Sequence, residues 1–296
     1  MSSTPCGLVV LHKAPGLTSF RTLTAAKHAF GTKRIGHTGT LDKFACGVLP
    51  ALVGTASRFS SFFMDLPKTY IATIRFGSTT TTLDPEGQPA GTGPLPRPEE
   101  AQRVAQSFIG EIEQLPPDFS ALHVNGRRAS DIARSGEKPA LKARTVHIYD
   151  VQVLSSTETE LRVRVNCSRG TYIRALARDI AERLGTVAYL SALERSAVGN
   201  FTLDRSVDPE NINVKQDLRP IEEFLPELPA ITLRKVPKNM LDAVAGGVPL
   251  RPEMFVHRPT QPEISALLSE AGDFLALSEY DGKVFRYRFV RASENS

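Results

Sequence analysis

Little in this sequence supports a disulfide scaffold, a metal centre or a membrane span. It has three cysteines, Cys6, Cys46 and Cys167. They are odd in number, stand far apart and form no C-x-x-C pair, so neither a disulfide framework nor a zinc knuckle is expected. No stretch approaches the roughly 18 uninterrupted apolar residues that a bilayer crossing needs, and the N-terminus lacks the basic, apolar and small-residue pattern of a secretion signal. These absences predict a soluble, cytosolic protein without a membrane partner. No internal repeat or low-complexity tract occurs. What is present is a chain of 296 residues, 41% of them apolar, enough for a substantial core in one large or two modest domains.

The net charge of +4 is a weak pointer to a polyanion, but its distribution says more. From His12 to Arg75 there are nine Lys/Arg against two acids, Asp42 and Asp65, and from Ala121 to Arg195 thirteen against eight. Positive charge gathered in two blocks is a polyanion footprint, although a solvated basic surface has the same signature.

Punctuation gives the organisation. Gly7 to Lys13 reads as a strand stopped by the turn Pro15-Gly16, and Thr18 or Ser19 can cap a helix running to about Phe30, with Gly31 as its terminator. Lys68 to Phe76 alternates as a strand, Gly77 to Pro98 is a long connection, and Pro98-Glu99-Glu100 starts a helix. Arg144 to Leu154 and Thr159 to Cys167 read as two strands. In the second, Leu161, Val163 and Val165 alternate with Arg162 and Arg164, predicting one buried and one basic face, and the basic face suits a nucleic-acid groove. Thr171 to Leu184 predicts a helix burying Ile173, Leu176, Ile180 and Leu184, with Tyr172 and Arg174 pointing elsewhere. Asp204 to Pro229 reads as a linker with short helices. After it comes a small module that ends in a hairpin at Asp281-Gly282.

The strongest local signal is Arg34 to Pro50, RIGHTGTLDKFACGVLP. A single carboxylate, Asp42, follows His37 by five residues in a glycine-containing segment too irregular for a long helix, the kind of loop that presents side chains from a rigid scaffold. Taken alone, Asp42 also reads as a helix cap and His37 as a turn residue.

This segment resembles the bacterial tRNA pseudouridine-55 synthases of the TruB type. The G-H-T-G-x-L-D-P-x-A-x-G-x-L-P signature of that family matches Gly36 to Pro50, with Lys43 in place of the usual proline. Three further blocks follow the same order around it: Lys13-x-x-Gly16-x-Thr18-Ser19, Lys68-Thr69-Tyr70, and Cys167-Ser168-Arg169-Gly170-Thr171-Tyr172-Ile173-Arg174. His12 and Ala14 depart from the usual Asp-Lys-Pro, and Ser130 stands where an aromatic is common. The resemblance covers roughly residues 7–205.

The resemblance implies an enzyme that isomerises uridine to pseudouridine at position 55 in the tRNA T-loop. Such a reaction breaks the N1–C1′ bond, turns the base in place and joins C5 to the same carbon. A carboxylate beside C1′ can stabilise the oxocarbenium charge, add to the sugar, or promote a glycal route. Because uracil leaves and returns, no cofactor or metal is expected. Carried over position by position, Asp42 is the catalytic carboxylate and Arg174 its charge-assisted partner. Tyr70 stacks on the uracil, Tyr172 walls the pocket, Leu193 supports the turned-out base, and His37 fills the space it leaves. Lys13, Lys33 and Arg34 are candidate phosphate contacts.

The implied fold is mixed α/β around a largely antiparallel sheet, with residues 1–228 as the catalytic domain and 229–296 as a small β-rich, PUA-like RNA-binding module. Expected partners are the tRNA T-loop and T-stem, with no guide RNA, and the expected state is a monomer. Three alternatives share part of the pattern: an RNA-binding protein without chemistry, a guide-RNA-dependent pseudouridine synthase, and a base-excising glycosylase.

Overall fold

The structure is a computed structural model that describes residues 5–291. Strand β1 (Gly7–Lys13) is buried at every position but His12. Thr18 caps helix α1 (Ser19–Ala29) by accepting from the Arg21 amide, and Gly31, at φ 61°, turns the chain out of it. Strands β2 (Ile35–His37) and β3 (Cys46–Val53) pair antiparallel, leaving residues 38–45 as the loop that carries Asp42. Helix α2 (Ser60–Asp65) leads into β4 (Lys68–Phe76).

The connection after β4 is less irregular than its Gly, Pro and Thr content suggests, because β5 (Ser78–Thr80) and β6 (Pro89–Thr92) form a small hairpin within it. Helix α3 (Pro98–Gln106) starts at the expected proline. Strand β7 (Gly110–Gln114), the short pair β8 (His123–Val124) and β9 (Arg127–Arg128), and α4 (Ala129–Arg134) precede β10 (Arg144–Ser156) and β11 (Glu160–Cys167). Helix α5 (Ile173–Arg183) begins two residues later than expected, since Tyr172 keeps an extended backbone as its N-cap. Strands β12 (Ala188–Val198) and β13 (Phe201–Thr202) follow.

Nine of these strands make one sheet in the order β1-β3-β12-β4-β11-β10-β7, with β2 on β3 and β13 on β12. Its pairings are antiparallel except that of β3 with β12, which is parallel and only two residue pairs long, Glu194 with Cys46 and Arg195 with Gly47. Gly47 permits this approach: it sits at φ 110°, and a Cβ there would stand 2.3 Å from the Arg195 carbonyl oxygen.

Helices α3 and α5 cover one face, where Leu176, Ile180 and Ala105 pack with Ile74, Leu161, Val163 and Val165. Tyr70 pairs in register with Val165 and with Arg195, so its side chain shares that face. Arg162 and Arg164, out of step by one residue, are exposed on the opposite face. The basic strand face foreseen from the sequence therefore exists, but it cannot line a cleft on the α5 side, because alternate residues of a strand point to opposite faces.

The segment from Asp204 to Pro229 contains only short helices, among them α6 (Val214–Asp217) and α7 (Ile221–Phe224). It is docked rather than loose. Arg219 and Leu8 exchange both backbone hydrogen bonds at 2.8 Å, and Val207 accepts from His12 and donates to Val10. These bonds occupy the free edge of β1, which would otherwise present unpaired backbone groups.

The last sheet runs β14 (Thr232–Lys235), β15 (Glu263–Leu268), β16 (Phe274–Tyr280) and β17 (Phe285–Val290), with helix α8 (Leu241–Ala245) between the first two. The hairpin turn falls at Asp281-Gly282, where Asp281 Oδ1 accepts from the amides of Lys283 and Val284. The module has a small core of its own around Val236, Val244, Leu267 and Ala276. A second cluster holds residues of both sheets. There the Phe59 ring lies 5.6 Å from Phe224, 5.6 Å from Phe274 and 5.2 Å from Phe289. Two sheets are thus joined by one aromatic core. No described helix is long and apolar enough to cross a membrane.

Candidate active site

The loop between β2 and β3 is held from three sides. Ser19 Oγ accepts from the Leu41 amide at 2.9 Å and donates to the Leu41 carbonyl. Arg195, 1% exposed, donates to Val48 O and across the parallel seam to Gly39 O. Lys13 lies beneath the loop and donates to the carbonyls of Ala14, Lys43 and Ala45. A backbone so thoroughly fixed presents Asp42 in one place.

Arg174, in the first turn of α5, meets that carboxylate edge-on. Its Nε donates to Oδ2 at 2.9 Å and its Nη2 to Oδ1 at 3.1 Å, the bidentate geometry that suits a planar guanidinium. The same guanidinium donates to Thr82 O and Phe119 O, and its Nη1 stands 3.3 Å from Asp84 Oδ2. The two acids differ in exposure. Asp42 keeps 36% of its side-chain surface exposed and Asp84 only 5%, so Asp42 is the carboxylate available to a ligand. Burial is the largest influence on Asp84 and raises its carboxyl above the usual range, against the Thr82 hydroxyl and Arg174.

Asp42 opens onto a cavity of about 640 Å³, a size suited to one nucleotide-sized ligand. Tyr70 from β4, Leu193 and Arg195 from β12, and Tyr172 and Arg174 from the start of α5 line it. Burial raises both tyrosine phenols above their ordinary value. Two hydrogen bonds from the buried Gln114 side chain set the Tyr172 backbone: its Oε1 accepts from the Tyr172 amide at 2.8 Å and its Nε2 donates to the Tyr172 carbonyl at 3.2 Å. Five of the residues singled out in the sequence, Asp42, Tyr70, Tyr172, Arg174 and Leu193, therefore converge on one cavity.

The remaining candidates fall elsewhere. His37 is not on the cavity wall; its Nδ1 faces the Gly39 amide at 3.4 Å, and burial, followed by the charge of Arg195, lowers its basicity. Lys13 is fully buried, so its proposed phosphate contact is replaced by a structural role under the Asp42 loop. Burial lowers its ammonium to about 8. Lys33 and Arg34 are exposed. Lys43, which replaces the usual proline, forms a 2.9 Å ion pair with Glu86 and so ties the Asp42 loop to the turn that carries Asp84.

Sequence reasoning missed Asp84, Gln114, Lys68 and the role of Arg195. Lys68 is buried at the cavity edge, where it donates to Leu66 O at 2.6 Å and to Met64 O, and burial lowers it to about 8. For Arg195 a signal existed, since it follows Leu193 by two residues and so shares its face of a strand, which is buried at both positions.

Known proteins resemble this chain in sequence and in fold. Residues 27–173 match the family described as TruB family pseudouridylate synthase, N terminal domain. A protein of Borreliella burgdorferi named tRNA pseudouridine synthase B is 38% identical over 287 residues, 96% of this chain and 98% of its own length. One of the same name from Treponema denticola is 41% identical over 259 residues, 81% of this chain and 70% of its own. Among solved structures, a chain of an H/ACA RNP bound to a substrate RNA containing 2′-deoxyuridine superposes with a TM-score of 0.73 at 21% identity, over 98% of this chain and 86% of that one. A chain of a Cbf5-Nop10-Gar1 complex gives 0.73 at 23% identity, over 96% and 84%. At these identities the structures speak for the fold, and it is the near-full-length sequence relationship that makes this chain a member of the TruB family of pseudouridylate synthases.

Proposed function

We propose that this protein converts uridine 55 of the tRNA T-loop to pseudouridine, with Asp42 as the catalytic carboxylate. The observation that carries the reading is the Asp42–Arg174 pair at the mouth of a cavity walled by two tyrosines and a leucine. Arg174 holds the carboxylate in place through two hydrogen bonds, and Asp42 stabilises or captures the charge that develops at C1′ as N1 departs. The aromatic and aliphatic walls replace the stacking that the nucleotide loses when it turns out of the T-loop, and they hold the free uracil while it rotates.

RNA is gripped outside the cavity, with Lys33 and Arg34 meeting phosphates and the C-terminal module adding contacts. The enzyme works as a monomer without a guide RNA. The near-full-length relatives named tRNA pseudouridine synthase B favour this over a guide-directed mode, which the more distant H/ACA structures would suggest. The test is incubation of the purified chain alone with an unmodified tRNA transcript and mapping of pseudouridine. Pseudouridine at position 55 is expected. Activity only with added RNA or protein, or release of free uracil, refutes the proposal.

A further inference from the structure

Ser120 lies in the wall of the cavity between residues that fix its backbone on both sides. Its amide donates to Asp118 O and its carbonyl accepts from the Ser130 amide, both at 3.1 Å. The preceding carbonyl, Phe119 O, is bonded to Arg174. The side chain is not fixed in this way. Ser120 is 3% exposed, and its Oγ is one of two buried side-chain polar atoms without a hydrogen-bond partner among the described residues. The other, Arg219 Nη1, is not in the cavity wall. Native structures retain few such groups, and one that faces a ligand cavity calls for a functional explanation.

The neighbour that supplies one is Tyr172. Both residues line the cavity, and the 3.0 Å bond from Arg174 to Phe119 O holds their two segments side by side, while the Ser120 hydroxyl itself has no hydrogen-bond partner. Gln114 clamps the Tyr172 backbone, so the direction of the phenol is the remaining freedom. A Ser120 side chain turned toward the phenol would donate to the Tyr172 oxygen while Tyr172 donates onward. Hydrogen bonds in series strengthen one another.

We propose that Ser120 is a positioning residue for Tyr172, closing onto its phenol oxygen when a nucleotide enters and aiming the Tyr172 hydroxyl at that nucleotide. The proposal rests on reading the cavity as the uridine site.

Its test compares the parent chain with Ser120→Ala, Ser120→Thr, Tyr172→Phe and the Ser120→Ala/Tyr172→Phe double variant on unmodified tRNA transcript. Single-turnover rate at saturation, Kd and thermal midpoint are measured for each. Ser120→Ala is expected to slow the rate about three- to tenfold with Kd nearly unchanged. Ser120→Thr, which keeps the hydroxyl, should recover most of the loss, and Ser120→Ala should have no further effect in the Tyr172→Phe background. A Ser120→Ala rate within twofold of the parent overturns the proposal, as does equal slowing in both backgrounds, which would mean that Ser120 acts on the nucleotide directly. The ¹³Cζ shift of Tyr172 in the tRNA-bound chain reads the contact without catalysis. It should move in Ser120→Ala, and an unmoved shift also overturns the proposal. A parent chain that makes no pseudouridine would instead refute the assigned reaction, and the shift still decides whether Ser120 and Tyr172 interact.

Discussion

Asp84 stands 3.3 Å from Arg174 Nη1, while Nε and Nη2 of the same guanidinium hold Asp42, so one cation is shared between a buried carboxylate and the carboxylate that faces the cavity. Two acids around one arginine distribute its charge. The exposed acid is thereby oriented without being fully neutralised.

Asp84→Asn tests that arrangement. The fold should persist, because Thr82 O and Phe119 O still receive Arg174, but the single-turnover rate should fall about tenfold or more as the guanidinium loses its second anchor. The pH dependence has a definite sign. Burial raises the native Asp84 carboxyl above its unfolded value, so its contribution to stability is fullest below about pH 4 and is lost as pH rises through the raised native value. Urea unfolding should show the parent losing stability relative to Asp84→Asn from about pH 4 upward. A relative gain over that window would refute the assignment.

Asp42→Asn keeps size and most hydrogen-bonding capacity while removing the charge. If Asp42 served only to hold its loop, turnover would change little. As the catalytic carboxylate, its replacement should lower pseudouridine formation at least a thousandfold with tRNA affinity within a few fold. Both are read from one preparation by filter binding and single-turnover mapping, and a rate near that of the parent would sink the mechanism.

The lysines divide by burial. Replacing Lys33 and Arg34 by alanine should reduce the slope of log affinity against log salt by about one to two, whereas Lys13→Met should leave that slope unchanged because Lys13 does not reach solvent. Lys13→Met should instead lower the thermal midpoint by stripping three carbonyls of their donor. With its folded value depressed to about 8, the Lys13 contribution is present above the unfolded value near 10.4 and lost as pH falls through about 8. The parent should gain stability relative to Lys13→Met between those values, and a flat difference would contradict the burial.

Phe59 joins the two sheets, so the C-terminal module cannot be removed without consequence. Phe59→Ala should destabilise the chain by about 3–5 kcal/mol, and truncation after Leu228 should expose Phe59, Phe63 and Phe224 together and lower the thermal midpoint further. Calorimetry of the two variants checks this. An undisturbed midpoint after truncation would mean that the shared cluster contributes nothing to the catalytic half.

Much of the fold was legible because its strands alternate and its helices carry visible stops. Lys68 to Phe76 and the cap at Thr18 are local properties, read from neighbours in sequence. The five residues on the cavity were legible through family motifs rather than through spacing alone. Asp84 was not, because it lies in a turn of Thr, Gly and Pro whose composition signals only a connection, and its importance comes from a partner ninety residues away. Lys13 was misread for a physical reason. A lysine in a basic block resembles a phosphate contact, yet its place on β1 in phase with Val9 and Leu11 already put it on the inner side. The docking of residues 204–229 on β1 was invisible because its backbone bonds leave no side-chain pattern, and the apolar residues that join it to the core, Ile221, Phe224 and Leu225, stand among prolines and acids that read as a linker.

The two-residue parallel seam between β3 and β12 bears on how the chain acquires its activity. Arg195 and Gly47 are separated by most of the catalytic chain, and Asp42 meets Arg174 across 132 residues. Contacts of such sequence separation close slowly, because the entropy of the intervening loop must be lost before they return any energy. Asp42 precedes β3 and Arg174 opens α5, so the pair requires α5 to be packed on the sheet that carries the Asp42 loop. Partly synthesised or partly folded chains thus lack the pair altogether, and a nascent polypeptide with its basic segments already exposed can meet RNA before it can alter it.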